Sequence, residues 1–215
     1  MEIADLVRQA KLTGWASSVL PTHQRLEYPV RSAFTSLGMT PVPTRAGESE
    51  VAVLRPTAQT DANPASLSAQ VGLGQQPLHT DGAHMRRPPE IVALWCTEPS
   101  ATPTRLWTGA WDVAQKFDSA GIFMVQPGGT PWLTRAVENQ RLRFDPGCMT
   151  PCDAMARRLD TTLRNPSPDE VMAFEWNEPG KILVVDNRRM LHGRGAVDPA
   201  DIERALNRIA LYEEE

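Results

Sequence analysis

At 215 residues, with 22 basic against 26 acidic side chains and a net charge of −4, the chain is long enough for one well-filled core and carries no positive excess. Its arginines are scattered, with Arg86-Arg87, Arg157-Arg158 and Arg188-Arg189 as doublets, which argues against nucleic acid and anionic membranes as partners. No apolar run approaches the length of a spanning helix, Met1 to Ala16 lacks the basic-then-apolar pattern of a signal peptide, and an odd count of 3 cysteines fits reduced thiols; a cytoplasmic location is expected.

In chain order, Ile3, Leu6, Val7 and Ala10 recur at helical spacing, so residues 2 to 13 are expected to form an amphipathic helix packed on the rest of the fold. Val51 to Leu54 reads as a short strand. Pro56 to Gln70 is polar and rich in Ala, Thr and Pro, and reads either as a lid or as a plain connecting loop. Glu90 to Cys96 and Thr104 to Trp107 are expected core strands, Asp112 to Phe117 a helical turn, and Gln140 to Phe144 a half-buried strand. From Asp153 to Leu163 the apolar Met155, Leu159 and Leu163 fall four residues apart, which predicts a helix capped by Asp153. Ile182 to Val185 follows the turn Glu178-Pro-Gly-Lys181 as a buried strand that Asp186-Asn187 interrupts. With 19 prolines and no internal repeat, the pattern suits one domain over residues 1–215 built of many short strands joined by turns.

The chemistry is concentrated in His79-Thr80-Asp81 and in His192, which follows the Ile182 strand. On an extended backbone, residues i and i+2 point to the same side, so His79 and Asp81 converge while Thr80 turns away. Two histidines and one carboxylate on one face of an ion, with other positions open, suit non-haem Fe(II) and dioxygen chemistry. Of the four histidines, His23 carries no such pattern, and His84, five residues after His79, reads as a loop residue near the site rather than a ligand. Cys148 and Cys152 lack a second thiol pair, so a zinc site is not expected there.

Together with the turn Trp176-Asn-Glu-Pro-Gly180, the run Asp186-Asn-Arg-Arg-Met-Leu-His-Gly-Arg194 and the closing block Arg204-Ala-Leu-Asn-Arg208, these residues resemble the Fe(II)/2-oxoglutarate-dependent oxygenases of the taurine dioxygenase and clavaminate synthase group, over roughly residues 70 to 212. The resemblance implies a mainly β fold with flanking helices, a double-stranded β-helix (jelly roll, cupin-like), with the metal in its mouth. It implies Fe(II) held by His79, Asp81 and His192, 2-oxoglutarate as co-substrate and dioxygen as oxidant. It also implies that Arg204 grips the distal carboxylate of 2-oxoglutarate, helped by a hydroxyl from Thr104 or from its competitor Thr102, and that Arg208 reaches the substrate. As a strand, residues 204–208 would put Arg204, Leu206 and Arg208 on one face, where planar guanidinium groups can take carboxylates through paired hydrogen bonds.

Since Asp81 is present where related halogenases have a small residue, the resemblance favours hydroxylation over halogenation. The chain is shorter than the group by several tens of residues, mostly in segments that build the substrate pocket, which points to a small, amino-acid-like carboxylate substrate. Rival readings are a metal-dependent jelly-roll isomerase, which needs the triad but not Arg204, and a non-catalytic small-molecule binding domain, which needs neither. No role is assigned to Asn187, Arg189 or Arg194.

Overall fold

A computed structural model describes residues 2–21, 26–64, 66–117, 121–126 and 128–214; His23 lies outside them. The first elements are α1 (Ile3–Thr13), β1 (Trp15–Val19), α2 (Glu27–Ser36), β2 (Met39–Val42), β3 (Val51–Leu54) and α3 (Ser68–Val71). Then come β4 (Ile91–Cys96), β5 (Ser100–Trp107), α4 (Ala110–Gln115), β6 (Ile122–Val125), β7 (Trp132–Arg135), β8 (Val137–Glu138), β9 (Arg141–Leu142), β10 (Met149–Pro151) and α5 (Ala154–Arg164). The last strands are β11 (Met172–Trp176), β12 (Lys181–Asp186), β13 (Leu191–Arg194) and β14 (Leu206–Glu213). The chain is thus mainly β with few helices.

A large antiparallel sheet runs β1-β12-β4-β14-β2, with β3 also on β14, and a smaller one runs β11-β5-β13. The fully buried β4 and β12 divide their side chains between two cores. Ile91, Ala93, Trp95, Ile182 and Val184 pack with Leu6, Val7 and Ala10 of α1 and Val30 and Phe34 of α2. Val92, Leu94, Cys96, Leu183 and Val185 point the other way, onto Leu106, Phe174 and Trp176 of the smaller sheet. A strand with two apolar neighbours loses the polar alternation, which is why both read as continuous apolar runs. At about 25 cal/mol per Å² of apolar surface removed from water, such double burial makes the large sheet the rigid frame on which the rest hangs.

Between β5 and β11 the chain inserts a third packing unit, in which β10-β6-β7 and helices α4 and α5 bury Phe123, Val125, Phe144, Leu159 and Leu163. The expected strand over 140–144 is only the second half of a tight hairpin, β8 to β9, whose turn residues Asn139 and Gln140 both have positive φ. The described residues of segment 56–67 lie outside helix and strand, α3 follows, and the Gln59 amide donates to the Gln70 carbonyl.

Asp153 caps α5 as expected: its carboxylate accepts from Ala156 N at 2.8 Å and from Ile122 N at 2.7 Å, joining the helix to β6. These two amide bonds hold the Asp153 carboxyl below the usual carboxylate range. A depressed folded-state value means that the stabilisation is complete above the unfolded pKa and disappears as pH falls through the folded one. Asp153→Ala is therefore expected to lower the melting temperature near neutral pH, with the gap to the unsubstituted protein narrowing on acidification. Melting curves at about pH 7 and about pH 3 check this; a gap that widens in acid would mean that the cap acts without its charge.

Candidate metal centre

The site is built on the antiparallel bridge between His79 and His192, which exchange both backbone hydrogen bonds at 2.9 Å. Such a pair puts its two side chains on the same face, here with imidazole centroids 5.0 Å apart. Bridging needs the chains to approach closely at the next residue, and a Cβ on Gly193 would lie 2.9 Å from the Pro77 carbonyl. Thr80 turns away as expected: its N–H donates to Phe144 O at 2.7 Å and its hydroxyl accepts from Phe144 N at 3.1 Å.

Asp81 then returns to the histidines, and its Oδ1 lies 3.5 Å from the Nε2 of each. Among the described residues, these three form the one group of His, Cys, Asp and Glu side chains close enough to share an ion, their ligand atoms lying within 4.8 Å of one another. His84 stands outside it. A turn through Gly82, at φ 67°, lets the chain leave Asp81 at once; a side chain there would meet Pro89 Cδ at 2.7 Å.

The arrangement fits a cation. The Pro77 carbonyl, 3.0 Å from His79 Nδ1, can only accept, so Nδ1 carries the hydrogen of the neutral ring and Nε2 presents its lone pair to Asp81. At 3.5 Å the contact is too long for a good hydrogen bond. Ligand atoms about 2.1 Å from one ion and at right angles lie about 3 Å apart, so Asp81 Oδ1 and each imidazole need to close by about 0.5 Å, and the widest separation in the group, within 4.8 Å, by more. Burial on its own would raise the Asp81 carboxyl, but Arg208 and the two histidines hold it well below the usual carboxylate range. Burial depresses His192, with His79 and Arg208 adding to the effect, whereas Asp81, Asp145 and the Pro77 carbonyl outweigh burial at His79 and raise it.

Asn187, to which the sequence assigned no role, fixes Asp81 from behind. Its Oδ1 accepts from Asp81 N at 2.8 Å, and its Nδ2 donates to Asp81 O at 3.0 Å and to Pro89 O at 2.8 Å. The Asp-Asn break that ends β12 was the available signal, but its partners lie about a hundred residues away in the chain.

Arg204 lies before β14 begins at Leu206, not within a strand, because its N–H closes a turn onto Asp201 O. It keeps the inward side shared by Leu206 and Arg208. Its guanidinium donates to Thr102 O and has no ion pair among the described residues. Burial, reinforced by Arg194, pushes it down to about 10. Thr102 and Thr104 share the buried face of β5, which begins at Ser100, earlier than expected. The Thr104 hydroxyl accepts from Trp176 Nε1 at 3.0 Å and the Thr102 hydroxyl from Asp198 N at 3.0 Å, so each retains its own hydrogen to donate. Arg208 faces Asp81, with Nη1 at 3.3 Å from Oδ2, and its Nη2 is taken up by Thr44 and Glu48. Arg194, the third arginine of this region, ties β13 to Gly72 O and Leu73 O. A surface cleft of about 560 Å³ between Trp111, Arg135 and Glu138 shares no residue with this centre.

Comparison with known proteins agrees with this geometry. The sequence profile of the taurine catabolism dioxygenase TauD, TfdA family matches residues 139–210, the third of the chain that carries His192, Arg204 and Arg208. No curated protein matches the chain. Among solved structures it is similar to an asparagine oxygenase in complex with Fe(II), 2S,3S-3-hydroxyasparagine and succinate, at 17% identity over 98% of this chain and 77% of that one, with a TM-score of 0.66. It is similar to the non-heme iron oxygenase OrfP in complex with Fe and alpha-ketoglutaric acid, at 18% identity over 99% of this chain and 80% of that one, TM-score 0.70. PvcB from Pseudomonas aeruginosa matches at 19% identity over 96% of this chain and 78% of that one, TM-score 0.67. The chain shares their fold.

Proposed function

We propose that the protein is an Fe(II)- and 2-oxoglutarate-dependent oxygenase that hydroxylates a small, amino-acid-like carboxylate substrate, using dioxygen. The observation that carries this reading is the convergence of ligand atoms from His79, Asp81 and His192, with the guanidinium of Arg204 held on the Thr102 carbonyl and without an ion pair among the described residues. In this reading residues 1–215 form one domain, and the two facing sheets are a double-stranded β-helix with the triad at its mouth.

Bound iron supplies the redox chemistry that couples decarboxylation of the oxoacid to oxidation of the substrate. The chain's own part is positional. Asn187 and the His79–His192 bridge hold the ligand backbones, so little rearrangement is needed on binding. Arg204 offers a desolvated, planar cation to the distal carboxylate of the co-substrate, and Thr104 or Thr102 adds a hydroxyl donor. Asn oxygenase and OrfP carry hydroxylated amino acids in their sites, which supports a substrate of that class here. Among the described residues no helix is long and apolar enough to cross a membrane, and a cytoplasmic enzyme acting on a small molecule fits the scattered charge.

Anaerobic titration with Fe(II) and then 2-oxoglutarate tests the reading: a weak visible charge-transfer band of the chelated oxoacid is expected. Succinate release on admitting air should be slow without substrate and rise when a screen of free amino acids and small carboxylates reaches the right one. Metal binding without the band would favour a metal-dependent isomerase; neither would leave a binding domain.

A further inference from the structure

We propose that Arg208 is a positioning residue for the metal's carboxylate ligand, locked in place by Thr44 and Glu48, and is not held free for a substrate carboxylate. The proposal rests on the metal reading of His79, Asp81 and His192. Arg208 projects from the inner face of β14, with its side chain 10% exposed. Both hydrogens of Nη2 are spent, one on Thr44 Oγ1 at 2.6 Å and one on Glu48 Oε2 at 2.9 Å. The Thr44 hydroxyl in turn donates to the same Glu48 oxygen at 2.9 Å, so the three groups close a ring. That ring leaves Nη1 facing Asp81 Oδ2 at 3.3 Å.

Asp81 Oδ2 is buried and has no hydrogen-bond partner among the described residues, while Oδ1 points between the histidines. A carboxylate that can rotate presents either oxygen, or both, to an ion. Pinning one oxygen beside a fixed guanidinium leaves the other as the single ligand atom. A substrate carboxylate taking Arg208 through paired bonds would have to displace Thr44 and Glu48 and leave the partly buried Glu48 without its cation, which is costly. Nothing in the local sequence announces this, since Thr44 and Glu48 lie in the turn after β2, some 160 residues from Arg208.

Charge makes the idea decidable, because its two physical effects have opposite signs. A guanidinium near a cation site repels the ion, so Coulomb forces alone predict that deleting Arg208 tightens metal binding. Loss of positioning predicts that it weakens. Glu48 offsets the charge of Arg208, so Arg208→Met/Glu48→Met leaves the local net charge unchanged and removes the carboxylate that the single variant would orphan at Glu48, while Asp81 keeps the two histidines beside it.

The experiment is Co(II) binding to the metal-free full chain, followed by calorimetry and by the visible ligand-field spectrum, with circular dichroism as a check of folding. For Arg208→Met the Co(II) affinity should fall by about 10- to 100-fold, the usual effect of losing a group that orients a ligand, and the spectrum should shift as Asp81 changes its mode of binding. The double variant should fold like the parent and remain equally weak; it carries the test if the single variant does not fold. Arg208→Lys, a point charge that cannot span both carboxylates, should recover only part of the loss. Unchanged or tighter Co(II) binding in the double variant would overturn the proposal while leaving the metal site standing. Failure of the unsubstituted protein to bind Co(II) would overturn both.

Discussion

His79→Ala, Asp81→Ala and His192→Ala are each expected to abolish iron binding and turnover while the protein stays folded. The fold should survive because the backbone frame of the site does not depend on these side chains. The bridge between residues 79 and 192 is made of main-chain bonds, and Asn187 holds the main chain of residue 81 on both sides. In Asp81→Ala, Arg208 still has Glu48. Metal binding should fail because each variant removes one of three protein ligands. A thermal-shift series makes the loss visible without turnover: at 100 times its dissociation constant a bound ion stabilises the folded state by about 2.7 kcal/mol. The unsubstituted protein should show that shift with Fe(II) or Mn(II), and the alanine variants should not. Asp81→Glu should be tolerated only in part, since the longer side chain moves the ligand oxygen within a frame that Asn187 and Arg208 keep fixed. Full activity in any alanine variant would remove the site.

The convergence of His79, Asp81 and His192 was legible in the sequence because much of what brings them together is local. An extended His-X-Asp triplet converges by backbone geometry, and an apolar strand with a polar break delivers His192. β4, β12, α1 and α5 were legible for the same reason: burial on two faces or on one stripe leaves a period that can be counted. What was not legible lies across the fold. Asn187 is defined by a partner 106 residues away, and Thr44 and Glu48 acquire meaning only when β14 brings Arg208 beside them. Short strands such as β2, β7 and β11 bury too few residues to show a period, and they exist because a neighbouring strand pairs with them. Arg204 shows the limit from the other side. Its inward placement follows from alternation with Leu206 and Arg208, yet the strand that justified the count does not reach it, because the turn onto Asp201 ends just there.

Arg204→Met is expected to weaken 2-oxoglutarate binding by about ten- to a hundredfold, the equivalent of losing a charge-assisted, paired contact of roughly 1.5 to 3 kcal/mol at ~1.4 kcal/mol per decade. The structure supplies the reason that the loss should be near the top of that range. Burial pushes the guanidinium down to about 10, with Arg194 nearby adding repulsion, so its charge is penalised until an anion arrives. Asp201, three residues earlier, offsets part of that penalty by its charge, but its carboxylate is occupied by Ser100 and the Thr102 amide and makes no ion pair with Arg204. The co-substrate therefore meets a donor that is largely desolvated in advance and, among the described residues, hydrogen-bonded to the Thr102 carbonyl alone. Titrating the charge-transfer band with 2-oxoglutarate gives the constant directly. Arg208→Met, measured beside it at saturating metal, should change that constant far less, because its first effect is on the ion. Thr102→Val and Thr104→Val then separate the two hydroxyls: the one that meets the co-substrate should cost about 0.5 to 1.5 kcal/mol, the usual net value of one hydrogen bond, and the other should leave the constant unchanged. If Arg204→Met binds 2-oxoglutarate as tightly as the unsubstituted protein, Arg194, the cross-strand neighbour of Thr104, would have to leave Gly72 O and Leu73 O to take over its role, and adding Arg194→Met decides that. Undiminished binding in the double variant would end the oxoacid reading even with the iron site intact.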